Sequence, residues 1–164
     1  MIVIADTSPL RYLILVDAAD VLPKLFQSAL IPDEVYAELR HPSAPAEVQQ
    51  WMADRPEWLE VRPLSPWGGT VVADLDAGEA AAIRLAEQLG EAAFLLMDDA
   101  KGRREATRRG IPSTGTPGVL RAASKPGHLS LRDVLPKLLQ TNFYVAPGLA
   151  DALIAEETQG VEER

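Results

Sequence analysis

Short apolar runs alternate with segments of helical periodicity along most of the chain. The runs have the length of buried strands and lie at residues 2–5, 29–31, 58–61, 93–97 and 111–114. Between them, apolar residues recur at spacings of three and four, which predicts amphipathic helices. These helices cover residues 9–14, 19–26, 32–39, 46–53, 76–89, 100–109, 116–123, 131–139 and 149–157. Residues 62–77 are predicted as a long loop, residues 143–145 as an edge strand or extended segment, and residues 156–164 as a fraying acidic end.

This alternation predicts an α/β fold, in which a mostly parallel sheet of four to five short strands lies between layers of helices. In such sheets, ligands bind in the crevice beyond the carboxyl ends of the strands. Asp6 follows the first predicted strand, and Asp98 and Asp99 follow a later one. We therefore expect these acids to open onto the same edge of the sheet.

Two helix starts carry local signals that bear on the acids. After the first strand, Ser8 is predicted to cap the next helix and Pro9 to be its first residue, because proline suits that position. Asp6 is then left without an obvious structural task, which favours a functional one. Asp76 and Glu79 have the spacing of a capping box, so Glu79 has both a structural and a functional interpretation.

Composition narrows the class of protein. The 164 residues fit one domain, and 47% hydrophobic against 24% charged residues is an ordinary globular balance. The chain has no cysteine, no apolar stretch long enough to span a membrane and no signal-peptide pattern, so we expect a cytoplasmic protein without membrane association. A net charge of -8 argues against a general nucleic-acid coat protein but is compatible with a nucleic-acid enzyme that has a local basic patch.

The candidate chemistry rests on carboxylates. Capping a helix needs only one of the adjacent acids Asp98 and Asp99, and the second is repelled unless a cation accepts it. Carboxylate oxygens without histidine or cysteine suit Mg²⁺ or Mn²⁺, which activate water for phosphodiester hydrolysis. His41 and His128 lie in predicted turns and favour neither a zinc site nor a catalytic triad.

A basic segment directly follows the acidic pair. Lys101, Arg104 and Arg108 have spacings that place them on one face of a helix. One interpretation is a phosphate-binding stripe, which would reconcile an acidic chain with a polyanionic substrate. The other is a solvated helix with favourable cations in its last turn. The sequence leaves both open.

Five motifs, taken in order, resemble the PIN domain, a small metal-dependent ribonuclease fold used by many toxins of toxin–antitoxin pairs. The motifs are IVIADTSPL at 2–10, IPDEVYAEL at 31–39, GEAAAI at 78–83, LLMDD at 95–99 and TGTPGVL at 114–120. Together they are similar to a PIN-like subgroup described as toxin-like or of unknown function. The resemblance implies a three-layer PIN-like nuclease domain over residues 1–145, with residues 146–164 as a C-terminal helix and acidic tail of the same domain.

The resemblance also implies the residues of the site. Asp6, Glu79 and Asp99 fall on the family's metal-binding acids, with Asp98 as the adjacent candidate. Glu38 falls on a family glutamate, although its position alone is typical of a solvated surface charge. With the basic stripe added, we expect the catalytic residues Asp6, Glu38, Glu79 and Asp99, the metal ligands Asp6, Glu79, Asp98 and Asp99, and the substrate-binding residues Ser8, Lys101, Arg104, Arg108 and Thr116.

PIN relatives cleave single-stranded RNA with Mg²⁺ or Mn²⁺, usually as homodimers, and an antitoxin inhibits the toxin members. The resemblance therefore implies a metal-dependent endoribonuclease, the toxin of a toxin–antitoxin pair. Leu10, Leu13 and Leu22 either serve the dimer interface or belong to the core.

Two alternatives stay open at this point. One is a catalytically inactive PIN-like interaction module. The other is a Mg²⁺-binding receiver-like or phosphatase-like α/β domain, in which paired aspartates handle a phosphoryl group. That domain needs a distant lysine, and only Lys125 and Lys137 follow Thr114.

Overall fold

A parallel sheet organises the protein. The structure is a computed structural model that describes residues 1–66, 72 and 74–163. Within these residues the strands are β1 (Ile2–Ala5), β2 (Ser28–Ile31), β3 (Leu59–Val61), β4 (Ala93–Leu96) and β5 (Ser113–Thr114). All neighbouring strands are parallel, in the order β3-β2-β1-β4-β5. The largely apolar sequences of the three central strands, β1, β2 and β4, suit strands that are buried on both faces.

Helices connect the strands and cover the sheet. The described residues contain α1 (Thr7–Leu15), α2 (Val21–Leu25), α3 (Asp33–Leu39), α4 (Ala46–Ala53), α5 (Ala77–Leu89), α6 (Ala100–Arg108), α7 (Thr116–Ser124), α8 (Leu131–Leu139) and α9 (Leu149–Glu163). Gly90 ends α5 with a φ of 70°, a backbone conformation that glycine adopts without strain. The predicted α/β fold class is confirmed.

The sheet separates two apolar layers, because consecutive side chains of a strand point to opposite faces. Val3 packs into one layer, whereas its neighbour Ile4 packs with Ile83 of α5 in the other. The residues predicted to serve either a dimer interface or the core are fully buried in the first layer: Leu10, Leu13 and Leu22. They are core residues.

The strand order places β1 beside β4. From β1 the chain moves outward to β2 and β3, and it then returns to build β4 and β5 on the other side. Such a reversal opens a crevice at the carboxyl ends of the two central strands, where Asp6 and Asp98 lie. Receiver-like domains have the different order 2-1-3-4-5, so the receiver-like alternative is wrong.

The first helix begins two residues earlier than predicted, at Thr7. Asp6 occupies the N-cap position with an extended backbone, but its side chain makes no capping hydrogen bond. Ser8 lies in the first turn instead of at the cap, because its hydroxyl bonds a distant partner, Asp98, at 2.7 Å. Pro9 tolerates this position because the first turn of a helix leaves its N–H groups unpaired.

Residues 143–145 form no strand, so of the two predicted alternatives, an edge strand or an extended segment, the edge strand is wrong. Phe143 instead packs edge-on against Tyr12, with ring centroids 4.9 Å apart. The Tyr12 hydroxyl also donates to Asn142 Oδ1 at 2.6 Å. These tertiary contacts hold the segment in place without a strand partner.

Within the described residues, α9 continues to Glu163, six residues beyond the predicted helix end at residue 157. Glu156 pairs with Arg121 of α7 at 2.8 Å. Glu157 accepts the backbone N–H of Leu131 at 2.7 Å and so satisfies the start of α8.

The predicted loop falls only partly on described residues. Residues 62–66 contain neither helix nor strand beyond β3, and α5 begins at Ala77. Residues 67–71 and 73 lie outside the described residues. Among the described helices, none is long and apolar enough to cross a membrane.

Candidate active site

Asp6 is the most buried acid of the site, with 4% of its surface exposed. Its N–H donates to the carbonyl of Leu96 at 2.9 Å, which joins the ends of β1 and β4. Its Oδ1 is buried and has no hydrogen-bond partner among the described residues. Burial above all, and then the charges of Glu79, Asp76 and Glu38, raise its pKa to about 8. A hydrogen bond from the Thr7 backbone opposes this rise, and no basic side chain of the described residues is among the groups that shift the pKa.

Glu79 lies in the first turn of α5, beside the residue that caps this helix. The Asp76 carboxylate accepts the Glu79 N–H at 2.8 Å, and the backbone of Asp76 bonds the Glu79 carboxylate in return. The capping-box interpretation is confirmed. Burial, followed by the charges of Asp76 and Asp99, raises the pKa of Glu79 to about 7. The same side chain thus caps a helix and faces other acids.

Glu38 reaches the site from the last turn of α3. The Thr7 hydroxyl donates to its Oε2 at 2.5 Å. Gly78 leaves room for the same carboxylate, since a Cβ at that position would lie 2.7 Å from Glu38 Oε1. The interpretation of Glu38 as a solvated surface charge is wrong.

Asp98 differs from the other acids because hydrogen-bond donors already surround it. Thr116 donates from its N–H to Oδ1 at 2.6 Å and from its hydroxyl to Oδ2 at 2.8 Å. The Ser8 hydroxyl donates to Oδ2 at 2.7 Å. Asp98 therefore joins the starts of α1 and α7 to the end of β4. Ser8 and Thr116, both expected to bind substrate, have this carboxylate as their partner.

Asp99 caps α6 and is exposed. Its Oδ2 accepts the N–H of Gly102 at 2.8 Å. Its charge also contributes to the raised pKa of Glu79. The two adjacent acids therefore have different tasks, because Asp99 caps a helix and faces Glu79, whereas Asp98 joins two other helices to the sheet.

The acids share one electrostatic environment. Charge interactions connect Asp6 to Glu38, Asp76 and Glu79, and Glu79 to Asp99. In the part of the chain that the structure describes, no three Asp, Glu, His or Cys side chains are arranged as ligands of one metal ion. Repulsion between the carboxylates favours keeping them apart when no cation is bound.

Sequence reasoning missed two members of this group. Asp76 was identified only as a helix cap, although its place one turn before Glu79 on the same helix signals that both carboxylates lie together. Thr7 was not singled out, and its hydroxyl anchors Glu38. No local pattern links residues that lie 31 positions apart in the chain.

The basic helix is only partly available for phosphate. Arg108 forms a salt bridge with Glu105, and Arg109 bonds Glu105 at 2.9 Å. Hydrogen bonds from Arg108 and Arg109 lower the pKa of Glu105 to about 2. Lys101 and Arg104 are exposed on the same helix. Within the predicted phosphate-binding stripe, Lys101 and Arg104 therefore differ from Arg108, because the described contacts include no salt bridge for either of them.

Comparison with known families agrees with this geometry. The family model described as "DUF3368: PIN domain" matches residues 2–159. The chain belongs to the PIN domain family. PIN domains are generally nucleases, and they generally use divalent metal ions. The predicted family is thus confirmed, and the carboxyl-end acids described above belong to a PIN domain.

The fold of this PIN domain also has a solved counterpart. A PilT N-terminus domain protein from the hyperthermophilic archaeon Sulfolobus solfataricus P2 is similar to 75% of this chain and 93% of its own, with a TM-score of 0.55 and 17% sequence identity. This likeness shows the fold alone. No curated protein matches the sequence.

Proposed function

We propose that this PIN domain is a metal-dependent endoribonuclease that hydrolyses single-stranded RNA. The observation that carries the proposal is the buried, unpartnered Oδ1 of Asp6, surrounded by acids whose charges raise its pKa. Such an arrangement is unfavourable on its own and is relieved when a cation binds. Oxygen donors without thiolate or imidazole suit Mg²⁺ or Mn²⁺.

We assign Asp6, Glu79 and Asp99 to hold the ion. When bound, Mg²⁺ or Mn²⁺ supplies an activated water nucleophile and neutralises a phosphodiester oxygen. Asp6 offers its unpartnered oxygen, and Asp99 offers the oxygen that does not cap α6. Glu38 completes the acidic set, because the Thr7 hydroxyl holds its carboxylate and its charge contributes to the raised pKa of Asp6.

We assign Asp98 a structural role in the site. Its bonds to Ser8 and Thr116 fix the first turns of α1 and α7. On α6, the exposed Lys101 and Arg104 would contact the RNA phosphates. Arg108 would contribute less, because Glu105 already neutralises it.

The variants Asp6→Asn and Asp99→Asn test the assignment. Each should abolish Mn²⁺-dependent cleavage of single-stranded RNA and the rise in melting temperature that Mn²⁺ causes, while circular dichroism shows an intact fold. Asp151→Asn on α9 makes the same charge change away from the site and should cleave at the parent's rate. Cleavage at the parent's rate by either site variant would contradict the assignment.

A catalytically inactive interaction module is the second candidate. It is favoured by the absence, among described side chains, of any three arranged as metal ligands. This candidate predicts no thermal shift with Mn²⁺ and no cleavage by the parent protein. The nuclease predicts both.

The resemblance to toxin-like PIN domains supports a further proposal, that the protein is a homodimeric toxin with a cognate antitoxin. Induced expression should then arrest growth of a bacterial host, and Asp6→Asn should not. Sedimentation should give twice the chain mass of 17.8 kDa. Normal growth with active enzyme present would contradict the toxin role but not the nuclease activity.

A further inference from the structure

A cavity lies at the opposite edge of the sheet from the acids. It has a volume of about 270 Å³ and is lined in part by Asp17, Trp51 and Trp58. Trp58 directly precedes β3, and Asp17 follows the end of α1, which starts at the carboxyl end of β1. The cavity therefore lies at the amino ends of the strands. We call it the tryptophan pocket.

Two tryptophan side chains are among the residues that line the tryptophan pocket. Trp51 of α4 and Trp58 pack edge-to-face, with ring centroids 5.8 Å apart and planes at 61°. Both rings are half-buried against the core, so their positions are defined by packing. Tryptophan is the best aromatic partner for a cation, because its ring face is electron-rich.

The remaining polar lining is acidic. Asp17, Asp20 and Asp54 line the tryptophan pocket, and no lysine, arginine or histidine does so among the described lining residues. Lys24 pairs with Asp20 at 3.3 Å, but both side chains are largely exposed, so this pair is weak. Gln50, which bonds Asp54 at 2.7 Å, brings no charge. The pocket therefore combines aromatic rings with an excess of negative charge.

We propose that the tryptophan pocket binds the guanidinium group of an arginine side chain presented by a partner polypeptide. Its volume of about 270 Å³ is large enough to admit a planar guanidinium group. A planar guanidinium stacks on an indole and donates two parallel hydrogen bonds to a carboxylate, whereas an ammonium does neither as well. Free arginine should bind more weakly, because the three aspartates repel its α-carboxylate. An arginine residue within a polypeptide has no α-carboxylate.

A titration followed by nuclear magnetic resonance tests this site directly. The probe is Nα-acetyl-arginine amide, and the signals are the indole N–H groups of Trp51 and Trp58 in ¹⁵N-labelled protein. The sequence has three tryptophans, so Trp67→Phe removes the remaining indole signal. Both signals should shift saturably with the arginine amide. They should shift less with Nα-acetyl-lysine amide and with free arginine, and not at all with the neutral Nα-acetyl-citrulline amide.

Two charge variants locate the binding. Asp17 has a φ of 58°, a conformation that asparagine also tolerates, so Asp17→Asn preserves the backbone. Asp17→Asn and Asp54→Asn should each weaken binding about fivefold, whereas Asp151→Asn on α9 should leave it unchanged. RNA cleavage should stay at the parent's level in all three variants, which separates this site from the proposed nuclease site.

Several results would overturn the proposal. Shifts that do not saturate, or equal shifts with the citrulline amide, would show that no cation site exists. Equal binding of the lysine amide would refute the choice of guanidinium. Binding of free arginine as tight as that of the blocked amide would refute a polypeptide ligand. Parent-like binding by both charge variants would place the probe elsewhere.

Discussion

Thr116 donates two hydrogen bonds to Asp98, from its N–H at 2.6 Å and from its hydroxyl at 2.8 Å. Thr116 is fully buried, and it opens α7, whereas Asp98 follows β4. The pair therefore attaches a helix start to the sheet edge at which Asp6 lies. Uncharged groups donate these hydrogen bonds to Asp98. Its carboxylate oxygens therefore have partners, unlike Oδ1 of Asp6, in a site where the other acids repel one another.

This pair predicts a graded loss of stability. Thr116→Val removes the hydroxyl but keeps the N–H and the shape, so unfolding free energy should fall by about 1 kcal/mol. Asp98→Ala leaves both Thr116 donors unsatisfied and should lower it by about 3 kcal/mol. Urea denaturation without divalent metal measures both values. Thr116→Ser, which retains the hydroxyl, is the control, and a Thr116→Val variant as stable as the parent would show that the hydroxyl bond contributes nothing.

Gly78→Ala should separate activity from stability. The new Cβ would lie 2.7 Å from Glu38 Oε1 and displace that flexible carboxylate from its place beside Thr7. Alanine also favours the helix, so the melting temperature should hold or rise. Mn²⁺-dependent RNA cleavage should fall at least about tenfold, a loss of about 1.4 kcal/mol in transition-state stabilisation.

Gly160→Ala is the matched control for Gly78→Ala. It makes the same change within α9, and nothing lies within 4 Å of the added Cβ. This variant should keep full activity and gain similar helix stability. Parent-like cleavage by Gly78→Ala would show that the position of Glu38 does not matter for the reaction.

The ion-free protein should lose stability as the pH rises from 5 to 9. The folded-state pKa of Asp6 is raised from 3.8 to about 8, and that of Glu79 from 4.5 to about 7. A raised pKa means that the folded state binds the proton more tightly, so the stabilisation is complete at low pH and is lost as the pH passes the folded-state values. Melting temperatures in a metal chelator should therefore fall across this range.

Asp6→Asn and Mn²⁺ both probe the origin of that pH dependence. The variant cannot ionise at position 6, so its melting temperature should vary less between pH 5 and 9. Mn²⁺ should stabilise the parent most at pH 9, where protons no longer compete for the carboxylates. An equal pH slope in parent and variant would mean that Asp6 titrates normally.

Arg104→Ala should weaken RNA binding and flatten its salt dependence. Arg104 is exposed on α6, the helix that Asp99 caps, and each phosphate contact contributes a slope of about −0.7 in log K against log salt for single strands. Fluorescence anisotropy of a labelled RNA on the Asp6→Asn background avoids cleavage during the titration. Lys137→Ala on α8 is the matched control, and an unchanged slope for Arg104→Ala would remove Arg104 from the interface.

Much of the fold could be predicted because periodicity is a local property. Residues 46–53 and 131–139 were predicted as helices with the bounds that the structure gives to α4 and α8. The Asp76–Glu79 capping box was likewise visible, since its partners lie three residues apart. The predicted start of α1 was wrong because the Ser8 hydroxyl donates a hydrogen bond to the distant Asp98 instead of capping the helix.

The sequence by itself determined the alternation of strands and helices, the family, and the acids that follow the strands. Each of these can be identified from residues that lie close together in the chain. The tertiary structure alone decided which partners the acids have at long range in the chain. Ser8 and Asp98 lie 90 positions apart, and only the placement of β4 beside β1 brings them into contact. The tertiary structure also decided that Asp6 is buried with an oxygen that has no hydrogen-bond partner among the described residues. Burial depends on every layer packed around a residue, so no local pattern predicts it.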